Sequence, residues 1–260
     1  MPGQETPLIE LRDVHKSFGD NHVFRGLNLT LHRGESLVLI GSSASGKTLI
    51  MKTILGLVEP DSGSVLIDGQ ETTRMKEKAR SKLYERFGML FQQSALFDSL
   101  PVWRNVAFRV LQQEGVTREQ AREVAVEKLA SVGLDEQVCD LYPAELSGGM
   151  QKRVGFARAI AASPEIVLLD EPTAGLDPIM SNIVNDLILH SVEEIGATTL
   201  SINSDPVGAK KIATRIAMLH EGDIIWTGPS SIADDSGNAY VDQFIHKRAE
   251  GPIKMAITQQ

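Results

Sequence analysis

Gly41-Ser42-Ser43-Ala44-Ser45-Gly46-Lys47-Thr48 fits the pattern G-x-x-x-x-G-K-[ST] at every fixed position. Glycines at both ends and small residues between them let a backbone loop approach a ligand closely. Its N–H groups then form a concave surface suited to a polyphosphate. In such a loop Lys47 is the residue for the β- and γ-phosphates, and the Thr48 hydroxyl is the one for Mg²⁺. The pattern needs a strand before it and a helix after it. Leu37-Val38-Leu39-Ile40 reads as a buried strand and Leu49-Ile50-Met51-Lys52-Thr53-Ile54-Leu55 as a helix. The partial positive charge at that helix start, about +0.5, favours an anion. A glycine-rich strand-to-helix turn with no ligand is the plainer alternative, and the flanking pattern speaks against it.

A magnesium nucleotide also needs an acid at the end of an apolar strand, remote in sequence from the phosphate loop. Asp170 ends the run Ile166-Val167-Leu168-Leu169 and is the candidate for orienting Mg²⁺ through water. Glu171 follows it, pointed differently by strand alternation, and is the candidate general base for a water in line with the γ-phosphate. Two carboxylates that merely end a strand are the alternative. Leu146-Ser147-Gly148-Gly149-Met150 places a hydroxyl and two glycines at a helix start, a second anion-ready terminus. Phe18, in the expected turn Lys16-Ser17-Phe18-Gly19-Asp20, either plugs the core or offers a ring to a nucleotide base. The residues alone leave both open.

These residues must be carried by alternating strands and helices. Residues 8–14 and 28–31 read as strands, the second with alternating Leu27, Leu29 and Leu31. A turn at Glu59-Pro60-Asp61-Ser62-Gly63 leads to a short strand at 64–67. Residues 74–86 form a mixed-charge helix with a solvated face, and 87–91 return as a buried strand that ends at Gln92. From 93 to about 162 the pattern is helical without strands. One helix follows Pro101. Another starts at Thr117, with Gln120 completing a capping box, and stops at Gly133. Beyond the strand into Asp170, a helix at 178–194, a strand at 198–202, a helix at 207–213 and a hairpin at 216–226 complete an α/β half. Residues 234–260 are weakly patterned, and Tyr240, Val241, Phe244 and Ile245 have no evident place in the core.

Composition narrows the class. The chain has 260 residues, 42% hydrophobic and 23% charged, which suits one domain with a sizeable subdomain. A net charge of −8, with no basic patch standing out, argues against a nucleic-acid surface. Residues 1–6 have neither a basic start nor an apolar region, so no secretory signal is expected. No apolar run approaches the ~20 residues of a membrane span, so a membrane role must be borrowed from a partner. Cys139 is the only cysteine; it rules out an internal disulfide and reads as a packed thiol in a reducing compartment.

With these motifs in hand, the chain resembles the ATPase subunits of ATP-binding-cassette transporters. The phosphate loop, Gln92, Leu146-Ser147-Gly148-Gly149-Met150, Asp170-Glu171-Pro172 and Ala174-Gly175-Leu176-Asp177 follow that family's order over roughly residues 7–230. The resemblance implies an α/β fold: a P-loop NTPase (RecA-like) core with an antiparallel β subdomain and an inserted α-helical subdomain at about 93–162. Residues 234–260 would be a C-terminal tail in contact with a second subunit. It also implies ATP and Mg²⁺ as ligands. Phe18 would stack on adenine; residues 41–48 would bind the phosphates; Thr48, Gln92 and Asp170 would attend the metal; Glu171, Lys47, Gln92 and Ser204 would serve hydrolysis. Two copies would dimerise head to tail, with Ser147, Gly148 and Gly149 of one capping the γ-phosphate held by the other and Asp177 at the seam. One departure stands out: the family usually has His-Asp after the strand at 198–202, and here Asn203-Ser204-Asp205 occupies that place, with Ser204 at the histidine position. Serine donates one hydrogen bond and carries no charge. Slow turnover, rescue by Asn203, an altered version of a more active chain, or a feebly hydrolysing regulator are the readings this leaves open.

Within the family, residues 91–100 and 102–107, the Met150 variant of the signature, and Phe244-Ile245-His246-Lys247-Arg248-Ala249-Glu250-Gly251-Pro252-Ile253 are similar to the ATPases of bacterial Mla-type phospholipid transporters. These maintain outer-membrane lipid asymmetry. That likeness implies a peripheral protein at the cytoplasmic face of the inner membrane, an integral-membrane permease received by residues 95–103, a small accessory cytoplasmic subunit, and a periplasmic lipid-binding subunit. In the permease contact, Leu96, Phe97, Leu100 and Trp103 are the apolar candidates. A different importer or exporter, or a soluble cassette acting on ribosomes or DNA, are the rivals. The second usually carries tandem cassettes or a coiled-coil insertion, and this chain has neither.

Overall fold

The computed structural model describes residues 6–254, so most of the N-terminal stretch and the last six residues of the tail lie outside the described residues. In chain order the elements are β1 (Ile9–Phe18), β2 (Asn21–Leu31), β3 (Ser36–Ile40), α1 (Lys47–Ile54), β4 (Ser62–Ile67), β5 (Gln70–Glu71), α2 (Glu77–Tyr84), β6 (Phe87–Leu90), α3 (Val102–Val106), α4 (Arg118–Ser131), α5 (Gly148–Ile160), β7 (Ile166–Asp170), α6 (Pro178–Ile195), β8 (Thr198–Ile202), α7 (Pro206–Ile212), β9 (Arg215–His220), β10 (Asp223–Pro229) and α8 (Ala239–Ile245). Short 3₁₀ turns occur at Val110–Gln112, Glu136–Asp140, Pro143–Glu145 and Ser230–Asp235. The chain divides into two compact units, one made of the chain up to Arg74 and from Ile202 onward, the other of Met75–Ser201.

In the first unit an antiparallel sheet runs β2-β1-β4-β5. Its inner face is set by Leu27, Leu29 and Leu31, all buried as their alternation predicts. Each such side chain contributes about 1.5–3 kcal/mol of burial. The β1–β2 hairpin is longer than expected. Pairing continues to Ser17↔His22 and Phe18↔Asn21, so the turn shrinks to Gly19 and Asp20. Asp61 holds this extension in place by accepting from the Lys16 amine (2.8 Å) and the Ser17 N–H (2.6 Å). The same unit also contains β10-β9-β3, with β3 parallel to β9 from Leu37↔Arg215 to Ile40↔Met218. Arg215 ties these strands to the antiparallel sheet through Glu35 and the Thr30 carbonyl, both at 2.5 Å.

The tail departs from expectation. Asn238 caps α8 by accepting from the Tyr240 and Val241 N–H groups. Val241 and Ile245 are buried within this unit, and Tyr240 packs its ring on His220. The apolar residues that seemed to lack a place in the core have one, because the chain after β10 folds back on its own unit.

In the second unit the strand order is β8-β7-β6, and β7 is apolar and fully buried along Ile166 to Leu169. Helices α3, α4 and α5 pack around one core that includes Val106, Ala125, Leu129, Phe156 and Cys139. The α4 capping box forms as predicted: the Thr117 N–H donates to Gln120 Oε1 (2.9 Å) and the Gln120 N–H to Thr117 Oγ1 (3.2 Å). Gly133 ends that segment at φ +69°. Helix α2 is shorter than the expected 74–86. At its front Thr72 and Thr73 are held on β4 by bonds to Val65 (2.8 and 2.9 Å), which keeps the chain extended. Trp103, expected to face a partner, is buried at 3% exposure, because α3 turns it into the helical core. No helix among the described residues is long and apolar enough to cross a membrane.

The closest packing in this unit is at Gly88 on β6, where a Cβ would lie 2.0 Å from the Ala159 carbonyl oxygen and 2.9 Å from Pro164. Gly88→Ala is therefore expected to destabilise the protein by about 2–3 kcal/mol, read as a lower denaturant midpoint at unchanged slope. An unchanged midpoint would mean that α5 yields at no cost.

Candidate functional site

The first unit carries the phosphate loop between β3 and α1. Gly41 adopts φ +144°, and a Cβ there would lie 2.3 Å from the Leu219 carbonyl oxygen. Gly46, at φ +102°, is pressed by Val23 (3.0 Å) and Phe24 (3.2 Å). Both positions require glycine on conformational and steric grounds. Gly46 is the N-cap of α1 and offers no side-chain cap, so the first N–H groups of the helix face the loop. Lys47 is 7% exposed, and its amine curls back to donate to the Gly41 and Ser42 carbonyls, both at 2.8 Å. The Ser45 hydroxyl is buried with no hydrogen-bond partner. An uncapped helix start, a cation resting on loop carbonyls and an orphaned hydroxyl are together what a polyphosphate satisfies. These residues fit that ligand.

Two more expected residues lie in this unit. Phe18 ends β1 at 53% exposure with Lys16 Nζ 5.3 Å from its ring centre, so it does not plug the core. Just after β8, the Asn203 N–H donates to the Leu39 carbonyl (3.2 Å), which brings Ser204 alongside the strand that feeds the phosphate loop. Asn203 Oδ1 accepts from the Asp205 N–H (2.9 Å), while its Nδ2 is buried without a partner. Asp205 Oδ2 caps α7 by accepting from the Gly208 N–H (2.9 Å). Burial pushes the Asp205 carboxyl up, but the Gly208 N–H and the Lys247 amine hold it below the usual carboxylate range.

The second unit carries the acidic strand end, Gln92 and the signature helix. Asp170 is 3% exposed at the end of β7, and Glu171 follows in a left-handed conformation at φ +50°. Such a backbone is strained for a non-glycine residue and persists where its surroundings compel it. The compelling group is Lys152 on α5, whose buried amine donates to the Glu171 carbonyl (3.2 Å) and to the Gln92 carbonyl. Burial pushes the Lys152 pKa down, against the pull of the Asp170 and Glu171 charges. Arg158, six residues further along α5, donates to the Ser94 and Ala95 carbonyls at 2.6 and 2.7 Å. Ser94 and Ala95 are themselves left-handed. One helix thus fixes the backbone at Gln92 and at Glu171 together. Lys152 was not among the expected site residues. Its one signal in the sequence is a lysine sharing a face, at i, i+4 and i+7, with Phe156 and Ala159, both buried.

Ser147 caps α5 by accepting from the Met150 N–H (3.3 Å) and is exposed, as is Gly148. A Cβ on Gly148 would meet nothing within 4 Å, and one on Gly149 only Leu176 and Met180 at 3.7 Å. Packing inside the chain does not require glycine at either position. Asp177 caps α6, accepting from the Ile179 and Met180 N–H groups at 3.0 Å. The expected metal residues Thr48, Gln92 and Asp170 offer one hydroxyl, one amide and one carboxylate, hard oxygen donors that suit Mg²⁺. Among the described residues no cluster of three or more His, Cys, Asp or Glu could hold a metal by itself. That donor set suits a metal brought on phosphate oxygens. Cys139 is buried in the core, and burial pushes its thiol pKa up, as befits a packed thiol.

Comparison with known proteins gives a consistent answer. Residues 24–174 match the family model described as ABC transporter. The chain is 39% identical over 264 residues, 95% of its length and 76% of the other's, to Protein TRIGALACTOSYLDIACYLGLYCEROL 3, chloroplastic, of Arabidopsis thaliana. It is 32% identical over 253 residues, 97% of its length and 96% of the other's, to the intermembrane phospholipid transport system ATP-binding protein MlaF of Haemophilus influenzae. Among solved structures, a dimeric ATP-binding cassette in a post-hydrolysis state with ADP and Pi superposes with TM-score 0.79 at 30% identity, covering 85% of this chain and 98% of that one.

Since Lys152 acts on two carbonyls rather than on the nucleotide, Lys152→Met is expected to lower the ATP turnover number about tenfold to a hundredfold while leaving nucleotide affinity within about threefold. Steady-state hydrolysis beside a fluorescent-nucleotide titration measures both. Equal losses in the two would mean that the helix serves folding alone.

Proposed function

Because the chain belongs to the ABC transporter family and is an ATPase of it, we propose that it is the motor subunit of a bacterial phospholipid transporter, peripheral at the cytoplasmic face of the inner membrane. The observation that carries the ATP-driven part is the phosphate loop: α1 starts uncapped beside a buried, partnerless Ser45 hydroxyl and a lysine held on loop carbonyls. In this reading the Phe18 ring lies on adenine, the α1 N-terminus and Lys47 take the β- and γ-phosphates, and Glu171 accepts a proton from the attacking water. The water oxygen bonds to the γ-phosphorus as the bond to the bridging oxygen breaks, leaving ADP and phosphate. Thr48, Gln92 and Asp170 would hold Mg²⁺, which when bound neutralises charge on the phosphate oxygens. Gln92 and Glu171 keep their aim through Lys152.

The nucleotide is completed by a second copy. Gly148 and Gly149 meet no internal demand for glycine, so a close approach from outside the chain accounts for them, and the α5 N-terminus behind Ser147 offers N–H groups to a γ-phosphate held by the partner. Asp177 then stands at the seam between copies. ATP joins the two subunits, and its hydrolysis parts them.

Coupling to the membrane uses the surface after Gln92. A groove of about 320 Å³ lies there, lined by Leu100, Phe108 and Leu111 with Arg104 and Arg118 beside it. Phe97 is 43% exposed and stacks on Phe108 at 4.7 Å. Leu96 packs in part against the core and Trp103 lies beneath, under the Arg104 and Arg118 guanidinium groups (5.4 and 5.3 Å). We assign this groove to a permease helix. The phospholipid cargo rests on residues 91–107, on the segment 244–253 and on the lipid named in the MlaF relative. A small accessory cytoplasmic subunit and a periplasmic lipid-binding subunit belong to the same reading.

Ser204 favours a second reading, a nucleotide-binding regulator with feeble hydrolysis. Against it stands Asn203, whose partnerless Nδ2 is a donor beside the place where the family's histidine is expected. Steady-state hydrolysis by the purified complex decides between them: wild type is expected to run at least tenfold faster than Glu171→Gln, and Ser204→His to match or exceed wild type. Turnover no faster than Glu171→Gln would make the regulator the better reading. Phe97→Asp is expected to abolish co-purification with the permease while ATP binding persists; an intact assembly would remove the groove from the interface.

A further inference from the structure

Helix α8 reaches the nucleotide-binding segments of the first unit by two separate contacts. At its start, the Tyr240 ring lies 4.6 Å from that of His220, centre to centre. The preceding residue, Leu219, backs the phosphate loop. Its carbonyl oxygen fills the space where a Gly41 Cβ would go, and its side chain lies 3.8 Å from the position a Gly46 Cβ would take. Just past the helix end, the Lys247 amine donates to Asp205 Oδ1 at 3.0 Å. Asp205 is the neighbour of Ser204 and uses its other oxygen to cap α7. Lys247 sits at φ +53°, a conformation that a lysine keeps only where the surrounding chain dictates it.

The segment around Lys247 is itself built. Gln243, 7% exposed, donates to the Ile253 carbonyl (3.1 Å) and the Arg248 carbonyl (3.4 Å) and accepts from the Ile253 N–H (2.7 Å). Gly251 passes so close that a Cβ would lie 2.4 Å from the Gln243 amide. Buried Val241 and Ile245 seat the helix. The other charges nearby are paired among themselves: Lys210 with Asp234, and His246 and Arg248 with Asp242. That leaves Lys247 as the cation from the tail that meets Asp205.

The geometry points to Lys247 and Tyr240 as positioning residues for ATP hydrolysis. Lys247 sets the switch segment at Ser204 through Asp205, and Tyr240 sets the phosphate loop through His220 and Leu219. This inference rests on the ATPase reading of the same site. It also gives the tail a role inside its own subunit. Lys247 is well exposed, so its substitution spares the fold, and an exposed ion pair of this kind supports an effect of about twofold to fivefold.

The test uses the full-length chain in its transporter complex. Lys247→Ala is expected to lower kcat about threefold with KM for ATP and the melting temperature unchanged, and Lys247→Arg to restore kcat. The advantage of wild type over Lys247→Ala should shrink at high ionic strength, where an exposed pair is screened. Tyr240→Ala is expected to raise KM for ATP more than it lowers kcat, and Tyr240→Phe to behave as wild type. Wild-type kcat in Lys247→Ala, or failure of arginine to rescue, would overturn the inference for Lys247; an unchanged KM in Tyr240→Ala would overturn it for Tyr240. Glu171→Gln runs alongside: if it matches wild type, the ATPase reading fails, whereas turnover that depends on Glu171 but not on Lys247 or Tyr240 overturns this inference alone.

Discussion

A helix that begins without a cap, in a loop too tightly packed to admit one, is the constraint on which the first unit is organised. Gly41 is held against the Leu219 carbonyl and Gly46 against Val23 and Phe24, so the loop between β3 and α1 has no slack. Beside the uncapped start of α1, the Ser45 hydroxyl is left buried without a hydrogen-bond partner. Buried donors in that condition are costly, by about 1–3 kcal/mol each. A phosphate group would satisfy the hydroxyl, so the loop is built in the direction of binding. Lys47 lies on the Gly41 and Ser42 carbonyls, contacts it can exchange for phosphate oxygens.

The second unit solves a different problem with a buried charge. Gln92 and Glu171 stand on separate segments, after β6 and after β7, and both leave their strands through backbone that is unfavourable for their residue type or for their neighbours'. Lys152 reaches both carbonyls from one helix, and Arg158 extends the same support to Ser94 and Ala95. Burial disfavours the Lys152 ammonium and pushes its pKa down, and the carbonyl bonds with the nearby carboxylate charges offset that cost. What is gained is a fixed backbone at Gln92 and Glu171. In the proposed function Lys152 does no chemistry itself and aims the two residues that do.

Much of this was legible in the sequence wherever the cause is local. The phosphate loop, the Thr117–Gln120 capping box and the strand into Asp170 are written in residues a few positions apart, and short-range patterns register them directly. Three features were not. The β1–β2 hairpin runs on to Phe18 because Asp61, more than forty positions away, takes up Lys16 and the Ser17 N–H. The residues after 238 looked unpatterned because their burial depends on β9, whose His220 and Leu219 belong to another part of the chain. Lys152 went unmarked because its partners are peptide carbonyls, and a carbonyl leaves no mark on the sequence. Long-range contacts to backbone are the class that pattern reading cannot reach.

The glycines separate what the chain needs for itself from what it offers to others. At Gly41, Gly46 and Gly88 a methyl group would strike backbone or packed side chains of the same chain, so folding alone accounts for the residue. At Gly148 it would strike nothing, and at Gly149 only ordinary neighbours, although both stand in the first turn of a helix, where glycine is less favoured than alanine. A cost borne without an internal return points outward, to a surface that must come within backbone distance of the α5 N-terminus. Ser147, which caps that helix from an exposed position, is consistent with the same approach. The two anion-ready helix starts therefore differ in kind: the start of α1 is shaped by its own neighbours, whereas the start of α5 is left bare by them, which in the proposed function suits a phosphate arriving on another subunit.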